Sequence, residues 1–469
     1  MNILIKNGTI VTDSEVKKAD VFIEGEVIAG IGDFAHKEKT CEAVYDAAGL
    51  YVMPGLIDPH THMELKQSET YTSVDDFYTG TIAAACGGTT MIIDHIAFGP
   101  QGCNLHYSLN NYKELGKKSV VDYSFHGVIQ HVDDSILEEL YDIVKNEGIA
   151  SFKAYSTYGY AMNEVDFYKI IEVMKKAGGL LTIHCENDKI TNYLRNKFVS
   201  ENKISPIYHA YSRPNEAEAE SVDELLNLAK LIGDGPIYIV HTSAHESVER
   251  IRLGRALGQK NLYAETCTQY LTLTEEKYFE DGDEEGMKYL MAPPLRKKAD
   301  RESLWNALED KTLQVVATDH CPFNLKRDKL PHIKNFTASP GGAPGVEERP
   351  MVVFSEGVMK GRMSLNRFVE VMSTNAAKIF GMYPKKGALK VGSDADITII
   401  DPNRKKTISV KTQHSVCDYN TYEGFESKCS IAMVFLRGKL VAQYGKFLGK
   451  KGDGAFVFRK REQAYAAVR

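Results

Sequence analysis

The sequence is marked first by what it lacks. Its eight cysteines stand at positions 41, 86, 103, 185, 267, 321, 417 and 429, and none forms a CxxC pair. Zinc ribbons and thioredoxin-like redox chemistry therefore have no support. No run of about 18 apolar residues occurs, so no membrane span is expected. The start, MNILIKNGTIVTDSE, has no apolar core followed by a small-residue cleavage site. No basic excess exists either: 57 Lys and Arg face 63 Asp and Glu, a net charge of -6. A nucleic-acid-binding surface would be basic, so no nucleic-acid partner is expected. No internal repeat and no low-complexity linker interrupts the chain. A reducing cytoplasm with free thiols is the simplest setting.

What is present is a globular composition, 43% apolar and 26% charged over 469 residues. That length suits one barrel-sized domain and a smaller one. Residues 1–50 carry short alternating runs (Ile3–Ile5, Val21–Ile23, Val27–Ile31) punctuated by Asn7-Gly8, Glu24-Gly25 and Gly32-Asp33, the texture of antiparallel strands. From about Tyr51 to Tyr383, buried apolar runs alternate with helix-length amphipathic segments. The runs are Thr90–Ile93, Val120–Tyr123, Ser151–Tyr155, Leu180–His184, Ile237–His241 and Gln314–Asp319. The helical segments include Glu164–Lys176, Ala217–Leu231, Glu246–Ala256 and Arg301–Leu308. This alternation predicts an α/β fold, a (β/α)8 TIM barrel. After about Lys385 strand texture returns in Ala395–Ile400, Ala432–Leu436 and Leu440–Tyr444. The two chain ends match each other, which predicts a small β-sandwich domain from residues 1–52 plus 386–469 and a catalytic barrel from 53–385.

The strongest local signal is Pro59-His60-Thr61-His62. Residues i and i+2 of a strand point to one side, so both imidazoles can reach one ion. A bare HxH is weak alone. It gains weight because Lys153, His184, His241 and Asp319 each stand at or near the C-terminal end of another apolar run. Those ends converge on one mouth of a barrel, where active sites form. Taken singly, a histidine after a strand is more often a hydrogen-bonded core residue, and an aspartate a cap. Lys153 is harder to dismiss, because burying an ammonium is costly unless it is paired or chemically changed. An amine that has captured CO2 becomes a carbamate, an anion able to bridge two cations. Two divalent ions suit amide hydrolysis, since they acidify a water and polarise a carbonyl. Asp319 could then shuttle the proton.

These residues resemble the amidohydrolase superfamily, and within it the dihydropyrimidinase and D-hydantoinase family, closest to its phenylhydantoinase members. The carrying motifs are Gly55–His62, Gly87-Gly88-Thr89-Thr90, Ser151-Phe152-Lys153, His184-Cys185-Glu186-Asn187, His241-Thr242-Ser243, Glu265-Thr266-Cys267, Pro293–Arg296, Thr318-Asp319-His320 and Gly392–Asp396. Asp122–Gln130 (DYSFHGVIQ) and Pro344–Arg349 (PGVEER) look especially like phenylhydantoinases. The resemblance implies that His60 and His62 bind the more buried ion with Asp319, that carboxylated Lys153 bridges both ions, and that His184 and His241 complete the second. His, carboxylate and carbamate ligands suit Zn2+, and manganese or cobalt could also serve, while the resemblance implies a homotetramer. Tyr158, five residues after Lys153, matches the family tyrosine that hydrogen-bonds the oxyanion.

Two positions depart from the commoner pattern: Ala292 stands where many relatives have Ser, and Gly341 where many have Asn. Both are implied to meet the ring amide through backbone groups. Met63, Leu65, Phe152 and Tyr160 are expected around the exocyclic pocket, where loops set selectivity. The implied reaction opens a 5-substituted hydantoin or dihydropyrimidine to an N-carbamoyl amino acid. Dihydropyrimidinase proper and allantoinase are the alternatives. Dihydroorotase expects an arginine where Glu64 stands. Superfamily deaminases lack the bridging lysine. Non-catalytic dihydropyrimidinase-related scaffolds have lost metal ligands that this chain keeps.

Overall fold

A computed structural model describes residues 2–461. Eight strands follow one another around a parallel sheet: Leu56–Thr61, Thr89–His95, Asp122–Val128, Ser151–Tyr155, Leu180–His184, Ile237–Ile239, Leu262–Cys267 and Val315–Ala317. Each pairs in parallel with the next. They are covered on both faces, which is why they read as near-continuous apolar runs. The seam between last and first strand is drawn together just beyond the ladder. His62 N–H donates to the His320 carbonyl at 2.9 Å, and Asp319 N–H to the His60 carbonyl at 2.9 Å. Beneath the seam the fully buried Arg349 donates to the Ile57 and Val316 carbonyls, at 2.8 and 2.9 Å, and to Thr89 Oγ1 at 3.1 Å. One guanidinium thus ties the first two strands to the last. The parallel barrel with its surrounding helices is the predicted fold.

The helices form for local reasons. Glu164–Ala177 starts where the Asn163 side chain accepts from the Val165 and Asp166 N–H groups, and ends at Gly178, whose φ of 79° is left-handed. Between them Phe167, Ile170, Ile171, Met174 and Ala177 are buried at helical spacing. Each large side chain of that stripe contributes roughly 2 kcal/mol of apolar burial. Ile170→Ala would remove one and leave a cavity, costing about 2–5 kcal/mol.

The chain ends make a second, nine-stranded sheet. Asn2–Val11, Val16–Glu24, Val27–Gly32, Ala43–Asp46 and Tyr51–Pro54 come from one end; Ile397–Asp401, Ser430–Leu436, Lys439–Gln443 and Lys446–Phe447 come from the other. The two halves join where Tyr51–Pro54 pairs antiparallel with Ile397–Asp401. Ile3, Ile5, Val21, Ile23, Val52, Ile397, Ile399 and Phe435 form its own core. A buried ionic knot fastens this sheet to the barrel. Lys386 Nζ contacts Asp394 at 2.8 Å, Asp396 at 2.7 Å and the barrel residue Asp122. Arg437 also pairs with Asp122. Removing one partner from such a knot would leave a buried charge unmatched. No helix among the described residues is long and apolar enough to cross a membrane.

Candidate metal centre

The strand ends bring His60, His62, Lys153, His184, His241 and Asp319 to one cavity of about 490 Å3. Their positions follow from the strand period, which turns alternate residues inward. His60 and His62 present Nε2 to Asp319 Oδ1 at 3.2 and 3.0 Å. One donor atom from each of these three residues lies within 4.8 Å of the others. The ring centroids of His184 and His241 are 4.5 Å apart, and those of His60 and His241 are 5.4 Å apart. Lys153 is 2% exposed. Its Nζ forms no hydrogen bond or ion pair among the described residues and stands 5.2 Å from the Tyr155 ring centre.

The electrostatics are those of a buried polar cluster. Burial pushes the Lys153 amine down to about 8, against the pull of Asp319 and Glu265. Burial also works on His60, but Glu265 and Asp319 outweigh it and raise the ring to about 9. Burial lowers His62, His184 and His241. Asp319 resists burial because His60 and His62 hold it well below the usual carboxylate range. Nδ1 of His62 and Nδ1 of His241 are buried without a hydrogen-bond partner. Imidazoles, three of them held neutral by burial, an amine with a depressed pKa and an ionised carboxylate are the donor set that divalent ions of the zinc type take. The residues therefore fit a metal centre.

The backbone is strained at the same place. His241, Asp319 and Tyr158 have φ of 38°, 55° and 71°, left-handed values for residues that carry a Cβ. Each costs about 1–2 kcal/mol, which persists only where surrounding structure enforces it.

Groups behind the cluster orient it. Glu265, fully buried, accepts from His60 Nδ1, from the Tyr238 hydroxyl at 2.7 Å and from the His241 N–H at 3.2 Å. Glu186 holds His184 Nε2 at 2.7 Å and pairs with the buried Arg213, leaving Nδ1 of His184 available to a ligand. The Arg213 guanidinium lies 5.6 Å from the centre of the Tyr158 ring. Arg296 donates to Ser243 Oγ and Glu218, both at 3.0 Å, and to the Arg213 carbonyl. His95 is a further member that sequence patterning missed. It ends the strand Thr89–His95, its ring centre is 4.2 Å from that of His60, and neither of its ring nitrogens has a hydrogen-bond partner. The same strand-end rule that singled out His184 would have found it. Glu265 stands in a motif of the family resemblance but its role, like that of Arg213, depends on partners remote in sequence.

Of the expected pocket residues, Leu65, Tyr158, Tyr160, Ala292 and Gly341 line the cavity, with Phe98, Phe336 and Arg195 beside them. Phe152 does not. It neighbours Lys153 on one strand and so faces the opposite way. It is fully buried, with its ring over Gly127 of the adjacent strand. Met63 is likewise a fully buried core residue, packed on Gly80.

Comparison with known proteins gives one consistent picture. A sequence profile described as the Amidohydrolase family matches residues 51–441. The chain is 43% identical over 461 residues to the D-phenylhydantoinase of Escherichia coli O1:K1, covering 98% of both proteins. Its fold superposes on the dihydropyrimidinase of Brevibacillus agri NCHU1002 with a TM-score of 0.94, at 42% identity, over 98% of this chain and 99% of that one. The L-hydantoinase of Arthrobacter aurescens is more distant, with a TM-score of 0.89 and 27% identity over 98% and 100% of the two chains.

Proposed function

The chain belongs to the amidohydrolase family, and from that premise we propose that it opens 5-substituted hydantoins and dihydropyrimidines by hydrolysing one cyclic amide bond, giving N-carbamoyl amino acids. The observation that carries this reading is the set His60, His62, Lys153, His184, His241 and Asp319 in one cavity that apolar and aromatic side chains also line. Leu65, Phe98, Tyr160 and Phe336 in that lining suit an aryl or alkyl substituent on the ring.

His60, His62 and Asp319 would hold one ion, His184 and His241 a second, and Lys153 as its carbamate would join them. The orphaned ring nitrogens and the depressed Lys153 pKa support this assignment, and an amine ionising near 8 reacts with CO2 more readily than an ordinary lysine. Bound there, zinc-type ions would acidify a water and polarise the ring carbonyl.

The chain's own groups supply the rest. Asp319, ionised at neutral pH, takes the proton from the attacking water and returns it to the leaving ring nitrogen. The Tyr158 hydroxyl, a donor at neutral pH because burial raises its ionisation above the ordinary phenol range, stabilises charge developing on the carbonyl oxygen. Main-chain groups at Ala292 and Gly341 orient the ring, and the exocyclic substituent rests on Leu65 and Tyr160. Glu265 and Glu186 fix which ring nitrogen of His60 and His184 faces the ion.

The reading extends to a cytoplasmic homotetramer. The eight free cysteines agree with a reducing compartment, while the tetramer rests on the family resemblance. The test is a hydrolysis panel on metal-reconstituted protein: dihydrouracil, both enantiomers of 5-phenylhydantoin, allantoin and dihydroorotate. Preferred opening of D-5-phenylhydantoin is expected, in line with the greater similarity to D- than to L-hydantoinases. Preference for allantoin or dihydroorotate would overturn the assignment.

A further inference from the structure

Gln67 sits at the cavity wall in a short hairpin. Its N–H donates to the Tyr71 carbonyl at 2.9 Å, and Lys66 bridges Thr72. The Tyr71 hydroxyl is fastened to His332 Nε2 at 2.5 Å. The Gln67 carboxamide makes a reciprocal pair with one residue of the opposite wall. Its Nε2 donates to the Gly341 carbonyl at 2.9 Å, and the Gly341 N–H donates to its Oε1 at 3.2 Å. Both residues line the cavity that holds the histidine cluster.

The main-chain groups next to Gly341 are committed to the fold. Gly342 N–H donates to the Leu290 carbonyl at 2.9 Å, the Gly342 carbonyl accepts from Lys329 Nζ at 2.6 Å, and Cys321 N–H donates to the Ala343 carbonyl at 3.1 Å. Among the described residues, the Gly341 N–H and carbonyl are met by Gln67 alone. A carboxamide offers one acceptor and one donor on a single edge. The –C(=O)–NH– edge of a cyclic ureide or imide offers the same two groups at the same spacing. Nothing stands within 4 Å of where a Gly341 side chain would begin.

We propose that Gln67 is an internal stand-in for the ring: its carboxamide occupies the amide-docking edge of Gly341 and is exchanged for the substrate's own amide edge. This rests on the ring-hydrolysis reading above. Gln67 then acts as a specificity-determining residue. A ring that presents both donor and acceptor replaces it bond for bond, and a ligand with only one of the two does not recover what it displaces. The exchange also frees the hairpin around Gln67 to move as substrate enters.

The experiment compares initial-rate kinetics of metal-loaded wild type, Gln67→Ala and Gln67→Glu with dihydrouracil and 5-phenylhydantoin. Removing a competitor for the docking edge raises the binding-competent fraction, so KM should fall about fivefold in Gln67→Ala, with kcat moving less than KM. Gln67→Glu, which cannot donate to the Gly341 carbonyl, should shift KM in the same direction. A residue that merely shaped the loop would raise KM when replaced. Hydrolysis by all three proteins with KM unchanged or raised in the variants overturns the Gln67 proposal alone. Failure of wild type to open either ring overturns the ring-hydrolysis reading and this proposal with it.

Discussion

Glu265 sits against Nδ1 of His60 and so turns the opposite nitrogen, Nε2, toward Asp319 at 3.2 Å. The carboxylate is itself fixed by the Tyr238 hydroxyl at 2.7 Å. A histidine aimed in this way keeps one tautomer and a more basic donor nitrogen. Glu265→Gln keeps the shape and weakens both effects. It should lower metal affinity or kcat/KM by about 10- to 100-fold. Metal titration with a competing chelator, alongside steady-state rates, reads both quantities.

Arg213 and Glu186 make a buried ion pair behind His184. Burial alone would raise the Glu186 carboxyl, but Arg213 and His184 prevail and hold it at about 2. A carboxylate depressed in the folded state adds stability that is present above its ordinary pKa and is lost as pH falls toward the folded value. Arg213→Leu should therefore destabilise by roughly 3–5 kcal/mol at neutral pH. The difference from wild type should shrink below pH 4.5. Urea unfolding at a series of pH values from neutral downward measures it.

Lys329 is fully buried and donates to the carbonyls of Lys288, Leu290 and Gly342, at 3.2, 3.1 and 2.6 Å. It thereby joins the segment leading to Ala292 to the segment carrying Gly341. Burial pushes its pKa down to about 7, while three carbonyl acceptors match the three donors of the ammonium. Lys329→Met fills the space and removes one donor from each of those carbonyls, leaving Leu290 to the Gly342 N–H and the other two to the Tyr419 hydroxyl. It should cost roughly 3 kcal/mol of stability. It should also raise KM more than it lowers kcat, because both wall segments lose their common anchor.

The His414 ring meets Glu347 at 3.1 Å, and the neighbouring Cys86 and Glu347 raise its pKa to about 10 against a partial burial that opposes them. A group raised in the folded state contributes stability that is complete below its unfolded pKa and is lost as pH rises through the folded one. The thermal midpoint of wild type should exceed that of His414→Gln at pH 6, with the gap closing from about pH 6.5 upward and gone by about pH 10. Scanning calorimetry of both proteins across that range checks the sign.

Much of this was legible from residues alone, and the exceptions have physical causes. The strands Ser151–Tyr155 and Leu180–His184 end where the apolar runs end. The strand Asp122–Val128 begins where the apolar run Val120–Tyr123 was nearly over, because its Asp122, Ser124 and His126 are buried against distant partners. Arg437 meets Asp122, Arg459 meets Ser124, and the Pro59 carbonyl meets His126. No local pattern announces a polar residue that is satisfied from across the fold. The metal-competent set was readable because strand ends concentrate it. Phe152 lies off the pocket because its strand period turns it away from the side on which Lys153 points inward.

The most direct test of the account is ring opening by wild type and Lys153→Ala, each reconstituted with zinc in bicarbonate buffer. Wild type should convert 5-phenylhydantoin or dihydrouracil to the N-carbamoyl amino acid. Lys153→Ala should not, and acetate or propionate should restore part of the activity by supplying the missing carboxylate. Full activity of Lys153→Ala without any added acid would contradict the account.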